Sequence, residues 1–250
     1  MPGLGHVYAG DLKKGLSLIC APYCVLLLAG AIGILSTFYG IASLIALGIA
    51  FYLFVLISSV NLASKNKEYH LLPYNRWYWY LAIFVTVGVI ANILLSFRGD
   101  IFGYETYRMP AKSMEPTLQV GDFITVNTRY NKPKVGDVIV FRYPKDRSIP
   151  YVKRVAAVGD DTVSISDGIV FRNGKPEKLL LVPESRRLKA FSIFLKERQV
   201  PPNELFVLGD WRDHSNDSRF WGTVPETDVI GKVTYIWLSK DAKRIGKAVD

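Results

Sequence analysis

The sequence is poor in the side chains that enzymes use for disulfide bonding, metal binding and histidine-based catalysis. It has two cysteines and three histidines in 250 residues. Cys20 and Cys24 lie four residues apart in an apolar run, on one helical face, so they are predicted to be packing residues and not a disulfide framework. With no HExxH and no His/Cys cluster, the sequence predicts no metal site and no cofactor.

Charged residues are also absent from two long stretches, one between Lys14 and Lys65 and one between Arg76 and Arg98. A membrane-spanning helix needs about 20 mainly apolar residues, so the first stretch is long enough for two helices and the second for one. The sequence therefore predicts an all-α membrane region over residues 1–98, with helices at about 16–35, 41–63 and 77–97.

The charges beside these predicted helices indicate how the chain crosses the membrane. They are Lys13, Lys14, Lys65, Lys67 and Arg76. Positive residues in short loops stay in the cytoplasm, so the N-terminus and the second loop are expected there. Three crossings then put everything after Phe97 on the extracytoplasmic face, and the localisation expected is a bacterial inner membrane.

One alternative is that the first apolar run is a cleaved signal peptide ending at Ala29-Gly30-Ala31. The run is long and a second one follows directly, which favours a retained helix. The opening segment "PGLGHVYAGDLKKG" is typical of a short interfacial turn before a membrane helix, and the sequence assigns it no chemical role.

From residue 99 to residue 250 the pattern changes to short runs of β-branched and aromatic residues. "DVIVFRY" and "VTYIWLS" are typical strands, and Thr162–Asn173 predicts a hairpin with an Asp-Gly turn. This half is therefore predicted to be a mainly antiparallel β domain. A small inserted subdomain with a short helix is expected at about residues 162–204.

The chain carries a formal net charge of +9. Nucleic acid is one partner that such a charge favours, but no basic helix and no zinc-ligand spacing supports it, so no nucleic-acid partner is predicted. A basic domain beside a bilayer favours anionic head groups, which makes the lipid bilayer the expected partner.

A hydrolytic site in the β domain has few candidate bases. His214 is the one histidine in that half, and there is no GxSxG motif. A buried neutral lysine is another base for a serine, and Lys153 in "YVKRVAAV" shares a strand face with apolar residues. Ser113, between Pro110 and Pro116, is the candidate nucleophile. The pattern alone leaves two alternatives open: Lys153 could be a solvated lysine at a strand edge, and Ser113 could be a helix-cap or turn serine without a catalytic role.

Together, three segments resemble the type I signal peptidase family, the membrane-bound serine proteases that release exported proteins. They are "SMEPTL", "KRVAAVGDD" and "GDWRDHSNDSRFWG", in that order along the chain. The resemblance implies that Ser113 is the nucleophile, followed by Met114, and that Lys153 is the general base, followed by Arg154. It further implies supporting roles for Ser215, which orients the lysine amine, for an Asp217–Arg219 ion pair, and for Asp210 and Arg212, which hold the turn.

The sequence departs from the family pattern at three places. Ala111 stands where many members have a serine that helps the oxyanion hole. Trp211 stands where an asparagine is usual, and Gly159-Asp160-Asp161 replaces the usual Pro-Gly-Asp. Three membrane helices also exceed the one or two that are usual.

The predicted function is thus cleavage of signal peptides from exported preproteins, after small residues at positions −3 and −1. Preprotein signal peptides are the expected partners, and a protein-export translocon is a further one. Two alternatives stay open: a non-catalytic membrane-anchored β module that binds exported chains, and a different Ser–Lys protease of the self-cleaving repressor type.

Overall fold

The computed structural model describes residues 1–65 and 72–249 and divides the chain into two compact units, Met1–Gly103 and Tyr104–Asp250. Lys67 and His70 lie outside the described residues. The first unit extends to Gly103, because a short helix continues the helical half as far as Phe102.

The first unit is helical. Its helices are α1 Leu4–Tyr8, α2 Leu12–Ala31, α3 Phe38–Lys65, α4 Trp77–Ser96 and α5 Arg98–Phe102. Three of the described helices, α2, α3 and α4, are long and apolar enough to cross a membrane. The first of them begins four residues earlier than predicted, because Asp11 caps it by accepting a hydrogen bond from the Lys14 N–H.

The end of α2 lies against α5. A Cβ atom on Gly30 would come within 2.8 Å of the Phe102 ring, so glycine is what allows this close approach. Phe102 itself is buried. Since α5 directly follows α4, the C-terminal ends of α2 and α4 lie at the same end of the helical unit.

The second unit is mainly antiparallel β structure. Its strands are β1 Tyr104–Arg108, β2 Phe123–Asn127, β3 Val138–Tyr143, β4 Asp146–Val158, β5 Thr162–Ser166, β6 Ile169–Arg172, β7 Lys175–Pro176, β8 Leu195–Gln199, β9 Glu204–Leu208, β10 Val224–Pro225 and β11 Val229–Leu238. Two short helices, α6 Ala190–Ile193 and α7 Ser218–Trp221, complete it. The prediction of an antiparallel β domain after three membrane helices is confirmed.

Seven strands form the larger sheet, in the order β1-β2-β11-β3-β4-β9-β10. Strand β4 lies between β3 and β9 and is the longest of the set. Its buried apolar residues belong to two core clusters, Val155 to one and Ala156 and Ala157 to the other, and the pairing with β9 is irregular between Val155 and Ala157. Residues 153–157 of β4 are shielded from water, whereas residues 146–150 are exposed.

The smaller sheet has the order β7-β6-β5-β8 and lies within residues 162–199. Its hairpin turns at Asp167 and Gly168, which both have positive φ, as the Asp-Gly pair predicts. Residues between β7 and β8 leave this sheet as irregular chain, and that chain reaches the site described next.

Candidate active site

Ser113 lies in a single 3-10 turn, Lys112–Met114, that follows β1. Met114 is fully buried in the core with Leu118, and its carbonyl accepts a hydrogen bond from the Leu118 N–H at 2.9 Å. The serine is 8% exposed, so it is shielded yet still reached by solvent. Burial of Met114 fixes the turn and leaves the serine hydroxyl at the edge of the core.

Lys153 lies on β4, opposite Ile139 of β3. Its Nζ atom is 3.0 Å from Ser113 Oγ and 2.8 Å from the carbonyl oxygen of Val152. The Tyr151 ring, on the same strand face as predicted by alternation, lies 5.3 Å from Nζ. The structure thus brings together a serine and a lysine that are 40 residues apart in sequence.

Burial lowers the pKa of Lys153 from 10.5 to about 8. The carboxylates of Asp217 and Asp210 act in the opposite direction, because a negative charge favours the ammonium form, but their effect is smaller. A sizeable fraction of Lys153 is therefore a neutral amine near pH 8, with a lone pair that can accept a proton from Ser113.

Arg154 points to the other side of β4 and pairs with Asp210. Its Nε and Nη2 atoms each lie 2.9 Å from a carboxylate oxygen of Asp210, and its Nη1 donates to the Gly136 carbonyl. Thr117 Oγ1 also donates to Asp210, at 2.5 Å. Asp210, which was predicted to hold the turn together with Arg212, thus pairs with Arg154.

Arg212 is fully buried and donates hydrogen bonds to two backbone carbonyls. Its Nε donates to the Gly209 carbonyl at 3.0 Å and its Nη2 to the Leu180 carbonyl at 2.9 Å. Burial lowers its pKa to about 10. Arg212 therefore joins the turn at Gly209 to the chain that leaves the smaller sheet.

Asp217 and Arg219 form a buried ion pair. Two guanidinium nitrogens of Arg219 lie 2.8 and 2.9 Å from the Asp217 carboxylate, which also accepts the Gly209 N–H at 3.0 Å. Arg219 Nη2 donates in addition to the Arg212 carbonyl at 2.6 Å. The pair closes the segment 209–219 into a loop and fixes both of its ends.

Ser215 lies inside this loop, packed against Gly209. A Cβ atom on Gly209 would lie 2.2 Å from Ser215 Oγ and 2.6 Å from the Ser113 carbonyl oxygen. Glycine at 209 thus leaves room for Ser215 and Ser113 together. The Ser215 hydroxyl is buried and has no hydrogen-bond partner among the described residues, so the structure does not join it to Lys153.

Trp211 links the same loop to the serine. Its backbone N–H donates to the Ser113 carbonyl at 3.0 Å. Its ring lies 4.5 Å from the His214 ring and 4.7 Å from the Arg186 guanidinium. Arg186 in turn lies 4.0 Å from the carboxylate of Glu115. We call Trp211, Arg186 and Glu115 the tryptophan brace.

The contacts of Arg186 and Asp213 were not predicted from the sequence. Asp213 accepts hydrogen bonds from the Leu188 and Lys189 N–H groups at 2.8 and 3.0 Å, which fastens the irregular chain to the loop. Asp213 lies in the third quoted segment and Arg186 in none of them, but the partners of both are distant in sequence. Within residues 1–65 and 72–249, no three His, Cys, Asp or Glu side chains converge as metal ligands do.

The chain is similar to known proteins of one family. The profile described as "Signal peptidase, peptidase S26" matches residues 76–238. A probable signal peptidase I-1 of Synechocystis is 35% identical over 60% of this chain and 76% of its own length. Signal peptidase I of Pseudomonas fluorescens is 31% identical over 72% of this chain and 77% of its own. A crystal structure of a signal peptidase I from Enterococcus faecalis is 27% identical and covers 42% of this chain and 99% of its own, with a TM-score of 0.36.

Proposed function

We propose that, in this chain, which belongs to the signal peptidase family S26, Ser113 and Lys153 are the catalytic nucleophile and general base. The chain is a membrane-anchored serine endopeptidase that cleaves signal peptides from preproteins. The observation that carries the assignment of the two residues is the 3.0 Å distance between Ser113 Oγ and Lys153 Nζ.

The first half of the reaction acylates the serine. Neutral Lys153 takes the proton of Ser113 while Oγ attacks the scissile carbonyl, and the protonated lysine then donates that proton to the leaving amine. The Val152 carbonyl holds one N–H of the amine, which directs the lone pair towards Oγ. The mature protein leaves with its new N-terminus and an acyl-enzyme remains.

The second half hydrolyses this acyl-enzyme. Lys153, neutral again, takes a proton from water while the water oxygen attacks the ester carbonyl. The ester bond to Ser113 Oγ then breaks, the protonated lysine returns the proton to Oγ, and the signal peptide leaves with a free carboxyl group. The Ser113 N–H is the oxyanion donor we assign, since it has no acceptor among the described residues. Ala111 has no hydroxyl to add a second donor.

The remaining predicted residues have positioning roles in this proposal. Asp217 and Arg219 hold the loop that carries Ser215, and Arg154 with Asp210 fixes β4 beside the base. Ser215 is assigned to orient the lysine amine, which requires a rotation of its hydroxyl or a small closure of the loop when substrate binds. Small residues at −3 and −1 of the substrate belong to the same proposal.

The N-terminus is assigned to the cytoplasm and the β unit to the extracytoplasmic face of a bacterial inner membrane. The lysines beside the helices support this orientation. The C-terminal ends of α2 and α4 lie at the same end of the helical unit, which also supports this orientation. Helices α2 and α4 then cross in the same direction and α3 crosses in the other, so the number of crossings is odd. Lipid and an export translocon are the neighbours expected at that face.

The test is cleavage of a purified preprotein by the full chain in detergent. Ser113→Ala and Lys153→Ala are each expected to lose at least 10³-fold in kcat/KM, whereas Lys145→Ala, an exposed lysine of the same hairpin, retains wild-type activity. Full activity of either site variant would remove that residue from the dyad. If the wild type bound preprotein without cleaving it, the chain would be a binding module instead.

A further inference from the structure

The N-terminal segment Met1–Gly10 takes no part in the peptidase chemistry, yet it is folded back tightly onto the helical unit. A Cβ atom on Gly3 would lie 2.3 Å from the Gly15 carbonyl oxygen, and one on Gly5 would lie 2.8 Å from Ser59 Cβ. Helix α1 therefore packs directly on α2 and α3 through its glycines, which explains why this segment is rich in them.

Polar contacts fasten the segment in place. His6 is fully buried and shares a hydrogen bond with the Ser58 hydroxyl, at 3.0 Å from Nε2. The Tyr74 hydroxyl donates to the Gly10 carbonyl at 3.0 Å. The segment thus closes the end of the α2–α3 hairpin at which Lys14 and Lys65 lie.

A polar cavity of about 310 Å³ opens at this end of the hairpin. Its polar lining is Lys14, Ser58, Asn61 and Lys65, and its apolar wall is Phe54, Ile57 and Leu62. Neither lysine forms a salt bridge with any residue in the described part of the chain. Two ammonium groups, an amide and a hydroxyl are the donors that a phosphate group binds.

An apolar cavity of about 470 Å³ lies between the same two helices, bordered by Pro22, Val25, Leu47 and Phe51. Along α3, Leu47, Phe51, Phe54, Ser58, Asn61 and Lys65 follow one another at intervals of three or four residues. Such residues form one stripe of a helix, so the apolar and the polar cavity lie on successive turns of the same stripe.

The dimensions of this stripe match a lipid chain. Ser58 lies eleven residues after Leu47, which is roughly 16 Å of helix. One leaflet contributes about half of the 30 Å hydrocarbon core of a bilayer. The distance from the polar donors to the far end of the apolar groove therefore matches the distance from the phosphate of a phospholipid to the end of its acyl chain.

We propose that the α2–α3 hairpin binds one anionic phospholipid. Its phosphate lies between Lys14 and Lys65, and one acyl chain lies along Phe54, Phe51 and Leu47. Since neither lysine pairs with a carboxylate among residues 1–65 and 72–249, a lipid of net negative charge is favoured over a zwitterionic one, and basic cavities between membrane helices are known to bind such head groups. The folded N-terminal segment builds the site by holding Ser58.

The test is native mass spectrometry of the full chain in detergent, titrated with phosphatidylglycerol or with phosphatidylcholine of the same acyl chains. Tighter binding of phosphatidylglycerol is expected. Lys14→Gln and Lys65→Gln should each weaken it about fivefold, the effect of one lysine near a lipid phosphate. Lys13→Gln is the matched control, because Lys13 is exposed, adjacent and outside the cavity lining, and it should leave binding unchanged.

Three outcomes would overturn the proposal. An equal loss with Lys13→Gln would mean diffuse surface charge, and equal binding of both lipids would mean no head-group selection. Displacement of the lipid by millimolar inorganic phosphate would mean a site for free phosphate. Preprotein cleavage in detergent reports the folding of each variant, and it should be unchanged because none of these lysines belongs to the catalytic machinery.

Discussion

Lys153 is the residue whose ionisation is expected to set the pH dependence of cleavage. Its pKa is lowered to about 8 by burial, so below that pH the amine is protonated and has no lone pair for Ser113. We expect kcat/KM to rise about tenfold per pH unit up to about pH 8 and then to level off. A pH–rate profile with a peptide substrate measures this, and a midpoint near 10.5 would contradict it.

The same shift affects stability, and the sign follows from the two pKa values. The unfolded chain keeps Lys153 protonated up to about 10.5, whereas the folded chain releases the proton at about 8. The unfolded state thus binds more protons between these values, so the free energy of unfolding gains a contribution that rises with pH there. Lys153→Met should remove that contribution, which denaturant titrations at several pH values would detect.

Ala111 lacks the hydroxyl that would add a second oxyanion donor in the proposed mechanism. Removing one such donor where it is needed costs about 10²–10³ in rate. We therefore expect Ala111→Ser to leave kcat equal or to raise it, because a hydroxyl at this extended, exposed position adds a donor beside Ser113. Single-turnover cleavage measures the acylation step. A large loss would indicate that another group stabilises the oxyanion.

Gly209 is required for the packing of both serines. In Gly209→Ala the new methyl group would lie 2.2 Å from Ser215 Oγ and 2.6 Å from the Ser113 carbonyl oxygen. The second of these atoms belongs to the backbone, which cannot rotate out of the way as a side chain can. We expect a loss of about 1–3 kcal/mol in stability and a larger loss of kcat, since Ser113 must move. Gly174→Ala is a control in open space, although its positive φ adds some strain. Unchanged kinetics in Gly209→Ala would contradict this packing.

At the scale of elements, the loop 209–219 connects the turn that holds Ser113 to the irregular chain between β7 and β8. Asp213 and Arg212 bind backbone of the irregular chain, and Trp211 binds backbone of Ser113. The three elements that meet here are far apart in sequence. Distortion of any one of them is therefore expected to reach the nucleophile.

The tryptophan brace provides the test of this connection. Trp211→Ala removes the ring contact with Arg186 but keeps the hydrogen bond from the backbone N–H to the Ser113 carbonyl. The turn should therefore remain folded, with the Ser113 hydroxyl held less precisely in position. We expect kcat to fall about tenfold with KM nearly unchanged, and Trp211→Phe to restore most of it. Trp237→Ala, at a tryptophan that packs on Phe123, is the control.

The pH midpoint separates a positioning role from a change in the base. If Trp211 acts only through the position of Ser113, the midpoint of the pH–rate profile should stay at the wild-type value in Trp211→Ala. An unchanged kcat in that variant would mean that the brace has no part in positioning the nucleophile.

At the scale of the whole molecule, the proposed topology of three crossings puts the N-terminus and Lys240 on opposite sides of the membrane. We expect a cysteine at Lys240 to react with a membrane-impermeant maleimide in intact cells, and one at Lys13 to react only after permeabilisation. Both positions are exposed, and Cys20 and Cys24 would first be replaced by alanine. Labelling of both sites in intact cells would contradict an odd number of crossings.

The sequence alone determined the features that depend on local composition. Apolar runs of about 20 residues predict membrane helices because the bilayer core has a set thickness, and alternation in "YVKRVAAV" places Lys153 and Arg154 on opposite faces. The order of the three motifs indicated the family. Each of these depends on neighbours within a few positions of the chain.

Only the tertiary structure decided which distant groups meet. Asp210 pairs with Arg154, 56 residues away, and not with Arg212 in its own turn, because the guanidinium on β4 presents two parallel donors to it. The Trp211 ring contacts the Arg186 guanidinium, and the N-terminal glycines pack against α2 and α3. Such contacts depend on how strands and helices are arranged in space, and residue order alone does not specify that arrangement.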